Sequence, residues 1–268
     1  MSEPRSYLFV PGQRPDRFAK AAGSGADAVI LDLEDAVGPD AKDEARAHVV
    51  DWFRQGGQGI VRINGRGTPW HADDLAALAD ITTADIMLPK AEPEALAHLT
   101  GHLPGRSVIA LVETVAGLAT LRNSVTISGV TRLAFGNLDF GADARIPESG
   151  AELDPARFEI VVASRLGGLA RPIDGVTTDF ADKQAIEKDV LRARAMGFGA
   201  KLCIHPAQVE AVNAGFSPTP GEVEWAKRVV AALEEAAGSV VQVDGKMVDR
   251  PLIERARQIL EGARHTTS

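Results

Sequence analysis

The chain has 268 residues, 45% of them apolar and 25% charged, which is enough for one large α/β barrel or two modest domains. Acidic residues outnumber basic ones by 37 to 29 and the net charge is −8, which argues against binding to nucleic acids or membrane surfaces. No apolar run reaches the roughly 18 residues that span a membrane. The polar start and the single cysteine, Cys203 in an apolar run, lead us to expect a cytoplasmic protein without a secretory signal and with Cys203 in the core.

Short apolar runs alternate with helix-like segments along most of the chain. The predicted strands are residues 6–10, 28–33, 59–64, 85–90, 108–112, the run ending at 135, 175–178 and 200–204. The predicted helices are residues 15–22, 39–53, 73–79, one from Pro93, 114–123, one with Asp154 as N-cap, and 183–196. Eight βα units predict a (β/α)8 TIM barrel. A doubly wound open sheet is the competitor, but no glycine-rich dinucleotide or phosphate loop follows any strand.

The residues after the eighth predicted strand are too few for a core of their own. Thr219 and Glu222 have the spacing of a capping box. The helix behind them is expected to end at Gly238, before a hairpin over residues 240–248 and a last helix over residues 250–263. We therefore predict a barrel domain over residues 1–215. Residues 216–268 form a C-terminal extension that packs on the barrel or on a neighbouring subunit.

Nearly every predicted strand ends at an ionisable side chain. These residues are Glu34, Asp35, Arg62, Lys90, Glu113, Asp139, Asp179 and His205. Because active sites of parallel barrels lie at the C-terminal ends of the strands, this ring predicts a metal-assisted site for an acidic substrate. Glu113 and Asp139 are the best metal ligands, since hard oxygen ligands suit Mg²⁺ and water or substrate can complete its coordination.

For Arg62, His205 and Lys90, the sequence leaves a structural and a chemical interpretation to be weighed. Arg62 lies in an apolar strand and could form a structural salt bridge with Glu34 or Asp35, or clamp a carboxylate or enolate-like oxygen of a substrate. His205 could be a ligand or a base, or could orient its loop. Lys90 could form a Schiff base, which a metal site would make unnecessary.

Four basic residues lie near the first two predicted βα loops. They are Arg14, Arg17, Lys20 and Lys42. A solvated charged face is the default interpretation of such residues. If the substrate carries phosphates, this cluster is where we expect them to bind.

An ordered set of motifs gives the chain a family resemblance. The motifs are residues 7–12 (YLFVPG), 31–37 (LDLEDAV), 61–64 (VRIN), 87–90 (MLPK), 112–114 (VET), 197–198 (GF), 204–206 (IHP), 216–218 (FSP) and 247–252 (MVDRPL). Together they resemble the citrate lyase beta-subunit-like proteins, in the malyl-CoA and citramalyl-CoA lyase group of the HpcH/HpaI aldolase family. The resemblance covers essentially the whole chain.

The resemblance implies a Mg²⁺-dependent lyase that acts on 3-hydroxyacyl-CoA thioesters and releases acetyl-CoA and a 2-oxo acid. It also implies a homotrimer or hexamer. In this reading Glu113 and Asp139 bind the metal, and Arg62 contacts the substrate acid or thioester oxygen. Glu34 and Asp35 would pass protons during the cleavage.

Comparison with the family pattern bears on three further parts of the chain, two of which match it and one of which departs from it. Asp249 matches an acid that family members lend to a neighbour's active site. The basic cluster defined above lies near the expected phosphate site of coenzyme A, although that loop matches less closely. Leu138 is a departure, because the family usually has Glu before the metal-binding aspartate, and this change puts the substrate preference in question.

Three other activities remain open from the sequence. The same enolate chemistry run forwards would make malate from glyoxylate and acetyl-CoA. A class II aldolase would cleave a free hydroxy-oxo acid without coenzyme A. A citrate lyase beta subunit would need an acyl-carrier partner and would be inert alone.

Overall fold

The structure is a computed structural model that describes residues 3–235 and 241–264. The chain divides into two compact units. One is Pro4–Asn213, and the other is built mainly from the residues that begin at Ala214. No helix within the described residues is both long enough and apolar enough to cross a membrane.

The larger unit is a closed barrel of eight parallel strands in sequence order, with β1 paired to β8. The strands are β1 (Ser6–Pro11), β2 (Ala28–Asp32), β3 (Ile60–Arg62), β4 (Asp85–Leu88), β5 (Val108–Val112), β6 (Val130–Phe135), β7 (Ile173–Asp174) and β8 (Ala200–Cys203). The predicted TIM barrel is therefore confirmed. The strands read as continuous apolar runs because both of their faces are covered.

One apolar cluster takes residues from all eight strands and fills the barrel interior. Its members are Tyr7, Ile30, Ile60, Met87, Ile109, Leu111, Ala134, Ile173, Ala200 and Leu202. Each large member contributes about 1.5–3 kcal/mol to folding by leaving water. Cys203 is buried, and burial raises the pKa of its thiol to about 12. This agrees with its prediction as a core residue.

Helices alternate with the strands. They are α1 (Phe18–Ala22), α2 (Lys42–Arg54), α3 (His71–Leu78), α4 (Pro93–His102), α5 (Val115–Ala119), α6 (Leu121–Ser124), α7 (Asn137–Ala144), α8 (Asp154–Leu166), α9 (Lys183–Met196), α10 (Val209–Phe216), α11 (Pro220–Glu235) and α12 (Arg250–Arg264). The single helix expected over residues 114–123 is two helices that meet at Thr120. Asp154 is the first residue of α8 rather than its N-cap, because a 3-10 turn precedes it.

The seventh strand differs most from its prediction, since β7 covers Ile173–Asp174 and not residues 175–178. In that segment side chains replace the strand partners. Lys201 Nζ donates to the carbonyl of residue 175 at 2.6 Å, and the amide of residue 176 donates to Asn137 Oδ1 at 2.8 Å. Gln208 Nε2 donates to the carbonyl of residue 177 at 2.8 Å. Side chains thus take the place of a neighbouring strand as partners of this backbone.

The C-terminal unit contains α11, α12 and an antiparallel hairpin of β9 (Val241–Val243) and β10 (Lys246–Val248). The predicted capping box is present, because Thr219 N donates to Glu222 Oε2 at 2.8 Å and Glu222 N donates to Thr219 Oγ1 at 3.2 Å. Asp244 and Gly245 both have positive φ, as a tight hairpin turn requires. The expected helix end at Gly238 lies outside the described residues, and the surface against which this unit packs stays a prediction.

Candidate active site at the mouth of the barrel

The barrel brings five of the predicted site residues to one end. Arg62 is the last residue of β3, and the other four come after the end of a strand: Glu34 after β2, Lys90 after β4, Glu113 after β5, and Asp139 after β6 in the first turn of α7. All five lie at the C-terminal ends of parallel strands. Their side chains form one connected group of charges, which we call the mouth cluster.

Lys90 lies between three carboxylates of the mouth cluster. Its Nζ is 3.2 Å from Glu34 Oε1, 3.9 Å from Glu113 Oε1 and 3.7 Å from Asp139 Oδ2. Burial acts to lower the pKa of Lys90, but the three carboxylates outweigh it and the pKa is raised. The residue has a φ of 47°, and its backbone N–H donates to Glu113 Oε1 at 2.8 Å.

Glu113 is the most enclosed acid of the mouth cluster, with 3% of its side chain exposed. Burial, followed by the nearby charge of Glu34, raises its pKa to about 8. Gly136 makes room for this carboxylate, because a Cβ there would lie 2.5 Å from the Glu113 Cβ and 2.7 Å from its Oε2. The backbone is therefore shaped to hold the Glu113 carboxyl at the end of β5.

Arg62 is buried and fixed by charge pairs. Its Nε and Nη2 donate to the two oxygens of Asp32 at 2.8 and 2.7 Å. Its Nη1 lies 3.0 Å from Glu34 and 3.5 Å from Asp35, and the guanidinium sits over the ring of Phe9. Burial opposes the charge of Arg62, but the Asp32 hydrogen bonds prevail and its pKa is raised.

Asp32 is a site residue that the sequence analysis missed. It pairs directly with Arg62 in the β2–β3 register, and both residues are buried. An aspartate and an arginine at the matching ends of two adjacent apolar strands were the available signal. The Arg62 salt bridge is therefore made first to Asp32, with Glu34 and Asp35 as further partners.

Lys42 does not join the other basic residues near the first loops. It is buried, and its Nζ donates to Leu33 O, Glu34 O and Asn64 Oδ1, each at 2.7 Å. Burial is the main reason that its pKa is lowered. These three acceptors hold the Lys42 ammonium inside the protein, next to the loop that follows β2, and not on the solvated face that the sequence predicted.

The remaining basic residues lie on the first loop and on α1. Arg14 pairs with Asp16, with Nε 2.9 Å from one carboxylate oxygen and Nη2 3.0 Å from the other. Arg17 and Lys20 are exposed. These three residues keep the surface position that the sequence analysis gave them.

Three other predicted site residues have local contacts. Asp179 Oδ1 accepts from Ala181 N and Asp182 N, both at 3.1 Å. His205 caps the turn after β8, because its Nδ1 accepts from Ala207 N at 3.1 Å. This matches the interpretation of His205 as a loop-orienting residue. Asp249 lies in the C-terminal unit, where its Oδ1 accepts from Leu252 N at 3.2 Å at the start of α12.

The mouth cluster has the chemistry of a divalent-cation site. Among residues 3–235 and 241–264, no group of three His, Cys, Asp or Glu side chains has the arrangement of a metal site. In the mouth cluster, the Lys90 ammonium lies between the acids. Glu34 Oε2 is buried and accepts no hydrogen bond in the described chain, although Arg62 Nη1 is close. Mg²⁺ needs only one or two carboxylates beside water and ligand oxygens, so these residues fit it.

Comparisons with known proteins identify the family of the chain. The model of the HpcH/HpaI aldolase/citrate lyase family matches residues 5–206. A (3S)-malyl-CoA thioesterase of Cereibacter sphaeroides is 38% identical, over 97% of this chain and 94% of that protein. A citrate lyase subunit beta-like protein of Mycobacterium tuberculosis is 37% identical, over 98% of this chain and 96% of that protein.

A solved structure extends the likeness to the whole fold. The crystal structure of CitE from Mycobacterium tuberculosis, in complex with magnesium, acetoacetate and coenzyme A, matches with a TM-score of 0.85 and 32% identity. The match covers 98% of this chain and 99% of that one. From its sequence and its fold, the chain belongs to the HpcH/HpaI aldolase/citrate lyase family.

Proposed function

We propose that this protein is a Mg²⁺-dependent carbon–carbon lyase that cleaves a 3-hydroxyacyl-CoA of the malyl-CoA, citramalyl-CoA or citryl-CoA type into acetyl-CoA and a 2-oxo acid. The observation that carries the proposal is that the carboxylates of Glu34, Glu113 and Asp139 all lie within 4 Å of the Lys90 ammonium. Arg62, which is fixed by ion pairs, lies beside them. The family membership and the magnesium, oxo acid and coenzyme A named for the CitE structure support it.

Glu113 and Asp139 are the proposed ligands of Mg²⁺. The buried Glu113 is held by the Lys90 backbone N–H, and Asp139 lies in the first turn of α7 with its side chain partly exposed. When bound, Mg²⁺ supplies a Lewis acid for the hydroxyl and carboxylate oxygens of the substrate. The two residues therefore orient the end of the substrate where the carbon–carbon bond breaks.

Arg62 is proposed to offset the negative charge that develops on the thioester oxygen. The electrons of the breaking bond move into the thioester carbonyl and form an acetyl-CoA enolate. A guanidinium already fixed by Asp32 needs little reorganisation to stabilise that oxygen, and such preorganised charges are among the largest contributions to catalysis. Arg62 thereby lowers the barrier to the cleavage step.

Glu34 and Asp35 are proposed to move the protons. Burial is the main reason that the pKa of Glu34 is raised, and a raised pKa makes a carboxylate a better proton acceptor. Glu34 accepts the proton of the substrate hydroxyl as the 2-oxo acid forms. The enolate carbon then gains a proton from Glu34 or Asp35, or from Asp249 supplied by a neighbouring subunit in a homotrimer or hexamer.

The coenzyme A phosphates are proposed to bind at Arg14, Arg17 and Lys20. These residues lie on the surface of the first loop and α1. Guanidinium and ammonium groups are the usual partners of phosphate oxygens. Lys42 leaves the proposal because its ammonium is used inside the protein.

The proposal is tested by incubating the purified chain alone with Mg²⁺ and a panel of hydroxyacyl-CoA thioesters, while acetyl-CoA and 2-oxo acid are quantified by chromatography. We expect the two products in equal amounts, and Glu113→Ala to lower turnover at least a thousandfold. Glu44→Gln on the exposed surface of α2 is the matched control. Full activity of Glu113→Ala contradicts the proposal, as does a requirement for an acyl-carrier partner or activity without coenzyme A on the substrate.

Thioester hydrolysis is the second candidate, because the Cereibacter relative at 38% identity is a malyl-CoA thioesterase. Asp35 is exposed and could activate water at the mouth of the barrel. Hydrolysis releases free coenzyme A and leaves the hydroxy acid whole. The same assay separates the reactions, since free coenzyme A with no 2-oxo acid identifies the thioesterase.

A further inference from the structure

Lys90 differs from the other cations at the barrel mouth in how it is held. Arg62 and Lys42 are buried and donate to fixed acceptors at or just after the ends of β2 and β3. Half of the Lys90 side chain is exposed, against 11% for Arg62. Its Nζ has Glu34, Glu113 and Asp139 as ion-pair partners. The Lys90 ammonium already borders solvent, so it can turn away from the acids without being pulled out of the core.

The backbone of Lys90 is anchored even though its side-chain end is free to move. Its N–H donates to Glu113, and its φ of 47° lies in the left-handed region that a non-glycine residue rarely adopts. The side chain of Lys90 therefore starts next to Glu113, one of the two proposed metal ligands. A flexible four-carbon stem then lets the ammonium reach the acids or turn away from them.

We propose that Lys90 is a built-in counter-cation, which occupies the cation position of the metal-free mouth cluster and is displaced when Mg²⁺ binds. This inference rests on the proposed function, since it takes Glu113 and Asp139 as metal ligands. Before the metal binds, the ammonium is the ion-pair partner of Glu34, Glu113 and Asp139. Because Mg²⁺ must break these ion pairs to bind, Lys90 weakens the metal affinity.

A supporting role for Lys90 predicts the opposite change in Mg²⁺ affinity when the residue is substituted. If Lys90 only held Glu113 in place for the metal, its removal would weaken Mg²⁺ binding. If it competes with the metal, its removal strengthens binding. A direct measurement of the metal affinity therefore distinguishes a displaced counter-cation from a fixed support without any assay of turnover.

The test is isothermal titration calorimetry of the full-length chain with Mg²⁺, with wild type and variants measured in the same buffer. We expect Lys90→Met to bind Mg²⁺ at least tenfold more tightly than the wild type. It should also have a lower melting temperature without metal and a larger gain on adding Mg²⁺. Lys227→Met is the matched control, because it removes an exposed lysine that pairs with Glu224 at 2.7 Å. An equal or weaker affinity of Lys90→Met overturns the inference.

A measurement on the wild type covers the case in which Lys90→Met does not fold. Amine-selective acylation, read by mass spectrometry, is expected to modify Lys90 several-fold faster with saturating Mg²⁺ than without it, relative to Lys227. An unchanged or slower reaction of Lys90 overturns the inference.

Glu113→Gln separates this inference from the proposed function. If Glu113→Gln binds Mg²⁺ as the wild type does, the proposed metal site is wrong and the role of Lys90 with it. If Glu113→Gln loses binding while Lys90→Met binds no more tightly than the wild type, only the role of Lys90 is overturned.

Discussion

The two sides of the barrel mouth hold their charges in different ways. On the β2–β3 side, Arg62 and Lys42 are buried and donate to fixed acceptors such as Asp32. On the β4–β6 side, Lys90 is half exposed and faces three acids at 3.2–3.9 Å. One side is locked, and the other has a cation that can be exchanged.

This difference suits the two sides to different chemical tasks, namely oxyanion stabilisation and metal binding. A charge that must stabilise a developing oxyanion is effective when it does not have to reorganise, which favours the locked side. A metal that binds and leaves needs carboxylates whose internal partner can be removed at low cost, which favours the exchangeable side.

The largest effect is expected from Arg62→Met, which breaks the locked side. It leaves Asp32 buried and without its charge partner, and loss of one member of a buried pair costs about 3–5 kcal/mol. Chemical denaturation should show that loss in the free energy of unfolding, together with loss of turnover. Arg122→Met is the control, since it removes only an exposed pair with Glu159 and should change stability by less than about 1 kcal/mol. Equal effects of the two substitutions would contradict the distinction.

The pH dependence of stability sharpens the exchangeable side. Glu113 has a pKa raised from 4.5 to about 8, so between these values the folded chain keeps a proton that the unfolded chain has lost. Stability without metal should therefore fall as the pH rises through this window, by a few kcal/mol at most. The difference between wild type and Glu113→Gln in melting experiments from about pH 5 to pH 8 isolates this contribution. A difference that is constant with pH would show that the pKa is not raised.

Gly136→Ala perturbs the exchangeable side with a single methyl group. The added Cβ would approach the Glu113 Cβ to 2.5 Å, and such overpacking costs about 1–3 kcal/mol. We expect this loss in the free energy of unfolding and weaker Mg²⁺ binding. Gly38→Ala is the matched control, because nothing lies within 4 Å of its added Cβ and its φ is −64°. Unchanged Mg²⁺ binding in Gly136→Ala would argue against Glu113 as a ligand.

The smallest effect is expected at His205, outside both sides. Its ring nitrogen accepts from Ala207 N, and loss of such a cap costs about 1 kcal/mol. His205→Ala should lower the melting temperature by a few degrees while the dependence of turnover on pH keeps its shape. A changed pH profile would return His205 to the list of catalytic candidates.

The strand ends were predictable from sequence because each apolar run stops at an ionisable residue. Parallel strands share one C-terminal edge, so the meeting of Glu34, Glu113 and Asp139 followed from the fold alone. The contacts within the site did not follow. The sequence does not show that Asp32 and Arg62 fall in register across β2 and β3.

Two errors have a common physical cause. Lys42 was grouped with exposed basic residues because it is near them in the chain, but it lies on the buried face of α2. The segment 175–178 has the β-branched composition of a strand, yet its backbone bonds go to Asn137, Lys201 and Gln208. Both depend on partners distant in sequence, which local patterns do not report.

The Asp32–Arg62 pair has a consequence for redesign of this scaffold. Substitution of either residue alone strands its partner's charge in the core, so the two positions tolerate change only together. The β4–β6 edge carries no such constraint at Lys90, where a neutral side chain leaves its neighbours able to take up a metal. Libraries aimed at new substrates should therefore keep Asp32 and Arg62 fixed and vary Lys90, while the proposed metal ligands Glu113 and Asp139 stay unchanged.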